Sequence, residues 1–186
     1  MESVANTTIQ HEEDMAENCT HLSPVSYNAL NAKQKELFNF QKVAARLADY
    51  GFNCIKLADD WQGADFLAYH INGTTTLKVQ LKSRVTIKHK YRGKDIWIAF
   101  PHKRDWYLIE HDRLVEKVGE CTCWLLSDSW NVRMDGYSSA SINPKLLDSL
   151  SGNKLEPIYD SIPEDDKEPL SRTCWPDTEK KYASQV

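Results

Sequence analysis

The chain lacks any apolar run near the ~18 residues a membrane-crossing helix needs. Its first thirty residues hold five acids and no lysine or arginine. A secretory leader, which opens on basic residues before an apolar stretch, is therefore not expected. The five cysteines (Cys19, Cys54, Cys121, Cys123, Cys174) are odd in number and scattered. Cys121-Thr122-Cys123 is too closely spaced for a zinc pair and has no second pair. Neither a disulfide framework nor structural zinc is expected, which suits a cytoplasmic protein. No internal repeat is present. What remains is 186 residues with 41% hydrophobic content, enough for one domain with a real core.

The net charge of −4 conceals a strong asymmetry. Residues 156–186 carry eight acids against four bases, whereas Lys78–Arg104 carries nine bases and one acid, Asp95. That basic island also holds His89, Tyr91, Trp97 and His102. A solvated edge would account for it, but so lopsided a stretch favours a polyanionic partner, nucleic acid first. Arg84, Lys88, Lys90, Arg92 and Lys94 are the candidate phosphate contacts. Tyr91, set among them, is the candidate for a base-stacking or phosphate contact.

Residues 1–27 and 156–186 are expected to be unstructured, flanking a folded domain over 28–155. Asn31 and Gln34 form a capping box for a helix from Ala32 to Tyr50, with Leu37, Phe40, Ala44 and Leu47 as its apolar stripe. Gly51 stops it. Phe52–Leu57 reads as a strand, and Asp59-Asp60-Trp61-Gln62-Gly63 as a polar turn. Two strand-like runs then flank Asn72-Gly73, the signal of a two-residue hairpin loop. Residues 83–95 read as a loop or ragged strand extension. Strands follow at 96–100 and 106–109, and a short helix capped by His111 or Asp112 runs to Val118. Trp124-Leu125-Leu126 suggests a strand and Asp135-Gly136 a turn. Asn143-Pro144 caps a final helix near 144–151.

The hairpin is where the chemistry lies. A tight reversal at Asn72-Gly73 pairs Ile71 with Thr74 and sets Asp65 opposite Gln80. Strand alternation places Lys82 on the face of Gln80, while Phe66, Ala68, Leu77, Val79 and Leu81 share the other. A carboxylate, an amide and an ammonium thus meet on one side. A plain cross-strand contact between Asp65 and Lys82 would use the same residues, at a few tenths of a kcal/mol.

A helix bearing Glu36, a strand, Asp65 on the next and Gln80-Leu81-Lys82 on the one after resemble the PD-(D/E)XK nuclease superfamily. Restriction endonucleases and archaeal Holliday-junction resolvases share that pattern. Gln80 in place of the second acid is most similar to the Mrr-type variant. The resemblance covers about residues 31–115. It implies an α/β, restriction-endonuclease-like core, a small mixed sheet with a central hairpin flanked by helices. It also implies Mg²⁺ or Mn²⁺ held by Asp65, Glu36, the Gln80 amide oxygen and the Leu81 carbonyl. Gln41 competes with Glu36 as the helix contributor. Lys82 would orient water or offset charge on the phosphate. The activity implied is endonucleolytic hydrolysis of DNA, in restriction, defence or repair, with RNA and branched DNA as further substrates and a homodimer as one arrangement. The alternatives are an inactive nucleic-acid-binding module on the same fold and a protein-interaction domain with nucleic-acid-mimicking tails.

Overall fold

The computed structural model describes residues 22–158, so the flanking segments expected to be unstructured lie mostly outside it. Two compact units meet between residues 41 and 42, Met1–Gln41 and Lys42–Val186. Helix α1 (Ala32–Ala48) spans that boundary. Its capping box forms as the sequence predicts. Asn31 Oδ1 accepts the Gln34 N–H and Gln34 Oε1 accepts the Asn31 N–H, both at 2.9 Å. Of the expected stripe Leu47 is buried, Phe40 and Ala44 are half-buried and Leu37 is 46% exposed, while Asn39 and Val43 complete the buried side. Asn39 Nδ2 donates to the Tyr27 hydroxyl at 2.9 Å, which is how a polar residue is tolerated on the buried side. The helix ends two residues before the expected Tyr50. Gly51, at φ +77°, sends its N–H to the Ala48 carbonyl and turns the chain.

The second unit is built on a six-stranded sheet in the order β1-β2-β3-β5-β6-β8, where only β3 and β5 run parallel. Its strands are β1 (Phe52–Trp61), β2 (Ala64–His70), β3 (Thr76–Leu81), β5 (Ile96–His102), β6 (Asp105–Glu110) and β8 (Lys154–Leu155). The α/β class and the mixed sheet with its hairpin are as expected.

Strand β1 runs further than its apolar residues suggest. Asp59, Asp60 and Trp61 belong to the strand, and the reversal is confined to Gln62 and Gly63, at φ +55° and +97°. Two consecutive left-handed residues make the tight loop that matches strand twist, so the preceding residues are left to the strand. An irregularity between Lys56 and Trp61 absorbs the extra length.

The β2–β3 register is the predicted one, with Phe66 opposite Val79 and Tyr69 opposite Thr76. The loop differs. His70 donates to the Thr75 carbonyl at 2.9 Å, leaving Ile71–Thr74 as a four-residue loop without an Ile71–Thr74 pair. Asn72 Oδ1 accepts the N–H groups of Thr74 and Thr75, both at 3.0 Å, while Ile71 donates to Gly51. Because this loop is centred between Asn72 and Gly73, the register survives.

The basic stretch 83–95 is not a solvated loop. It contains β4 (Val85–Lys88), paired antiparallel with β7 (Gly136–Ser139) in a separate two-stranded sheet. Val85 and Ile87 are at most 1% exposed and join a core with Ile96, Ile98, Phe100 and Ile109. Leu114 and Val118 of α2 (His111–Cys121), Trp130 of α3 (Asp128–Asn131) and Leu146 of α4 (Pro144–Ser149) complete it. Trp124–Leu126 is a 3₁₀ turn, not a strand. Asn143 caps α4 as expected, accepting the Leu146 N–H at 2.7 Å. No described helix is long and apolar enough to cross a membrane.

Gly136 opens β7 where β4 passes closest. A Cβ there would overlap the Ile87 carbonyl oxygen and lie 3.0 Å from Lys88 Cα. Gly136→Ala is predicted to cost about 2 kcal/mol or more in chemical denaturation, because backbone must move. Gly152→Ala, with no neighbour within 4 Å of its Cβ, should be near neutral. Equal midpoints for the two variants would refute this close approach.

Candidate active site

Asp65 is the second residue of β2, immediately after the Gln62-Gly63 reversal. The β2–β3 ladder ends at Phe66–Val79 while β3 continues beside β5, pairing Gln80 with Ile98 and Leu81 with Ala99. Past that last pair the half-buried Asp65 carboxylate takes over as the link between strands. Its Oδ2 accepts the Leu81 N–H at 2.8 Å and a second hydrogen bond from Gln80 Nε2. The predicted meeting of Asp65 and Gln80 is therefore made.

Gln80 is 4% exposed. A buried amide must be paired at both ends, and Gln80 Oε1 accepts the Tyr91 hydroxyl at 2.6 Å. Tyr91 follows β4 in a short 3₁₀ turn, His89–Tyr91, and is 2% exposed. It cannot stack on a base, which corrects the role expected from its basic neighbours. Its ring lies within range of Lys82 Nζ at 5.7 Å and Lys90 Nζ at 4.9 Å from the centroid. Lys82, the residue after β3, anchors its own backbone by donating to the Ala99 carbonyl at 2.8 Å. Asp65, Gln80 and Leu81 are thus joined by hydrogen bonds, with Tyr91 behind them and the Lys82 ammonium over its ring. Tyr91 is the site residue that sequence reasoning misassigned. A signal for it existed in Gly63, where a Cβ would come within 3.0 Å of the Tyr91 ring.

Glu36 belongs to the first unit and the other four residues to the second. Its carboxylate pairs with Lys33 at 3.2 Å, and along α1 it shares a face with Asn39, Val43 and Leu47. Of the expected nucleic-acid contacts, Arg84, Lys90, Arg92 and Lys94 are exposed and Lys88 is half-buried. Lys82, Arg84 and Lys88 line one cleft of about 440 Å³, with Asp135, Tyr137 and Ser138 of the β7 side opposite. Lys88 meets Asp135 there at 3.4 Å. Asp95, the single acid of the basic stretch, pairs with Lys78 at 3.6 Å.

No protein-family model and no curated protein matches the chain. Among solved structures, it is similar to Hjc, a Holliday junction resolvase from the archaeal hyperthermophile Archaeoglobus fulgidus. That likeness has 17% identity and a TM-score of 0.31, covering 40% of this chain and 76% of that one. The bacterial homing endonuclease I-Ssp6803I is similar at 14% identity and a TM-score of 0.40, covering 67% of this chain and 86% of that one.

Among the described residues no three His, Cys, Asp or Glu converge as a metal cage. The oxygens at hand are the Asp65 carboxylate and the Leu81 carbonyl, while the Gln80 amide turns Nε2 toward Asp65 and its oxygen toward Tyr91. That set fits a hard cation such as Mg²⁺, which retains several waters and needs few protein ligands. It does not fit a thiolate- or imidazole-seeking metal.

Behind the site, His111 opens α2 at 1% exposure. Its Nε2 accepts the Lys88 N–H at 3.1 Å, so Nδ1 carries the proton and donates to Asp112 Oδ1 at 2.9 Å. The expected capping role is absent. The His111-Asp112 pair instead fastens α2 to β4 and, through the 2.8 Å bond from the Gly93 N–H to Asp112 Oδ2, to the turn after Tyr91. Burial pushes the His111 pKa below its ordinary 6.5, outweighing Asp112. Since folding favours the neutral ring, its stabilisation is complete above pH 6.5 and is lost as pH falls toward the lowered folded value. The thermal midpoint is predicted to drop between pH 7 and pH 5, and His111→Gln to flatten that slope. An equal slope in the variant would assign the acid sensitivity elsewhere.

Proposed function

We propose that this protein is a metal-dependent endonuclease that hydrolyses phosphodiester bonds in DNA. The observation that carries the reading is the convergence of Asp65 Oδ2, the Gln80 amide and the Leu81 N–H, with Lys82 next in the chain. The cleft through Lys82, Arg84 and Lys88 adds a path for a phosphate backbone. Mg²⁺ or Mn²⁺, when bound, polarises the phosphoryl oxygen and lowers the pKa of a bound water. Asp65 and the Leu81 carbonyl would hold it, joined by the Gln80 amide oxygen once that amide turns from Tyr91. Lys82 faces the phosphate, orients the attacking water and offsets charge that develops in the transition state. Arg84 and Lys88 grip non-bridging phosphate oxygens, while Lys90, Arg92 and Lys94 add field at longer range. A homodimer is part of the same proposal.

The second reading, a nucleic-acid-binding module without catalysis, is favoured by one observation. Among the described residues Asp65 is the carboxylate hydrogen-bonded to the Gln80 amide, and that amide carries no charge. The test is incubation with supercoiled, linear, single-stranded and branched DNA, and with RNA, in Mg²⁺, Mn²⁺ or chelator. The endonuclease reading predicts metal-dependent cleavage of DNA, reduced about a hundredfold or more by Asp65→Ala and by Lys82→Ala. Salt-sensitive binding with no cleavage would leave the module. Arg84→Ala and Lys88→Ala are predicted to weaken binding alike across sequences and to lower the salt slope by about 1 each. Unaltered slopes would remove the cleft from the DNA path.

A further inference from the structure

We infer that Tyr91 is a positioning residue that allows the Gln80 side chain to turn over when a divalent cation binds. The inference rests on the metal-dependent reading above. As it stands, the Gln80 amide is the wrong way round for a ligand. Nε2 faces Asp65 and donates to Oδ2, while Oε1 faces Tyr91 and accepts its hydroxyl at 2.6 Å. That arrangement suits a carboxylate without a cation, and it directs a donor where a ligand oxygen is required.

An amide's two ends are nearly equal in size, so half a rotation about Cγ–Cδ exchanges them without a change in volume. At 4% exposure for Gln80 and 2% for Tyr91, water is not there to serve either orientation. An end left unpaired would cost its full desolvation. A residue that only donates, or only accepts, opposes one of the two states. A phenol hydroxyl serves both, donating to Oε1 before the turn and accepting from Nε2 after it.

The hydroxyl is held still while the amide rotates. The Tyr91 ring fills the space where Gly63 has no Cβ. Its edge meets His111 with centroids 5.6 Å apart. Lys82 and Lys90 lie over the ring. Tyr91 therefore holds the amide through its hydroxyl and contacts the phosphate-facing ammonium through its ring.

The test uses the full chain labelled with ¹⁵N-glutamine, with the Gln80 side-chain pair assigned by its loss in Gln80→Glu. Without metal, the Gln80 NH₂ should show a nuclear Overhauser contact to the Leu81 N–H, since both converge on one oxygen. At saturating Mg²⁺ that contact should vanish and one to the Tyr91 ring should replace it. In metal-free Tyr91→Phe, the Gln80 pair should shift or broaden while the other glutamines keep their positions. Calorimetric Mg²⁺ binding with the Gln80 pair still tied to Leu81 would overturn the inference alone. So would an unmoved Gln80 pair in Tyr91→Phe. Absence of any Mg²⁺ binding would overturn the metal-dependent reading and this inference together. The wild-type titration stands without the variant if Tyr91→Phe fails to fold.

Discussion

A carboxylate drawn partly out of water has to be supplied with donors, and Asp65 receives both of its donors from the neighbouring strand. One oxygen takes the Gln80 amide and the Leu81 N–H. Hydrogen bonds to a charged acceptor contribute about 1.5–3 kcal/mol each when well made. They act where the β2–β3 ladder has ended, so a side chain continues what the backbone leaves off. From there the connection runs inward to Tyr91, whose ring meets His111, and His111 binds both Lys88 and Asp112. Asp65 and Gln80 are thereby tied to the core by directional contacts as well as by packing.

The two sheets divide the labour. The six-stranded sheet supplies Asp65, Gln80 and Leu81 on adjacent strands, whose pairing fixes their separation. The small β4–β7 sheet lies over the core residues Ile96, Ile98 and Phe100 and carries the cationic rim. Val85 and Ile87 anchor β4 below, which leaves Arg84 exposed and Lys88 half-buried on the cleft. A basic surface on a rigid strand presents charge at less entropic cost than a mobile loop would.

Local chemistry was readable wherever a short motif determines its own geometry. Asn31 and Gln34 cap α1 because their spacing alone closes both hydrogen bonds. Asn72-Gly73 sets the hairpin centre, and so the register at Asp65, even though the loop is longer than two residues. Features decided by distant segments were not readable. Val85 and Ile87 among charged neighbours look like a ragged edge until β7, some fifty residues later, is seen to pair with them. Tyr91 looked like a surface aromatic because its burial depends on the missing Cβ of Gly63. On α1, Asn39, satisfied by Tyr27, takes an inward place that a polar residue seldom holds, so the apolar residues alone do not mark the buried side.

The pairing of β4 with β7 also limits how far this protein can be shortened. A chain cut after Val118 would keep Asp65, Gln80, Lys82 and every cation of the basic stretch. It would nonetheless discard one wall of the cleft and bare the inner edge of the strand bearing Lys88 and leading into Tyr91. The motif-bearing portion thus depends on the C-terminal third of the described residues for the partner of β4.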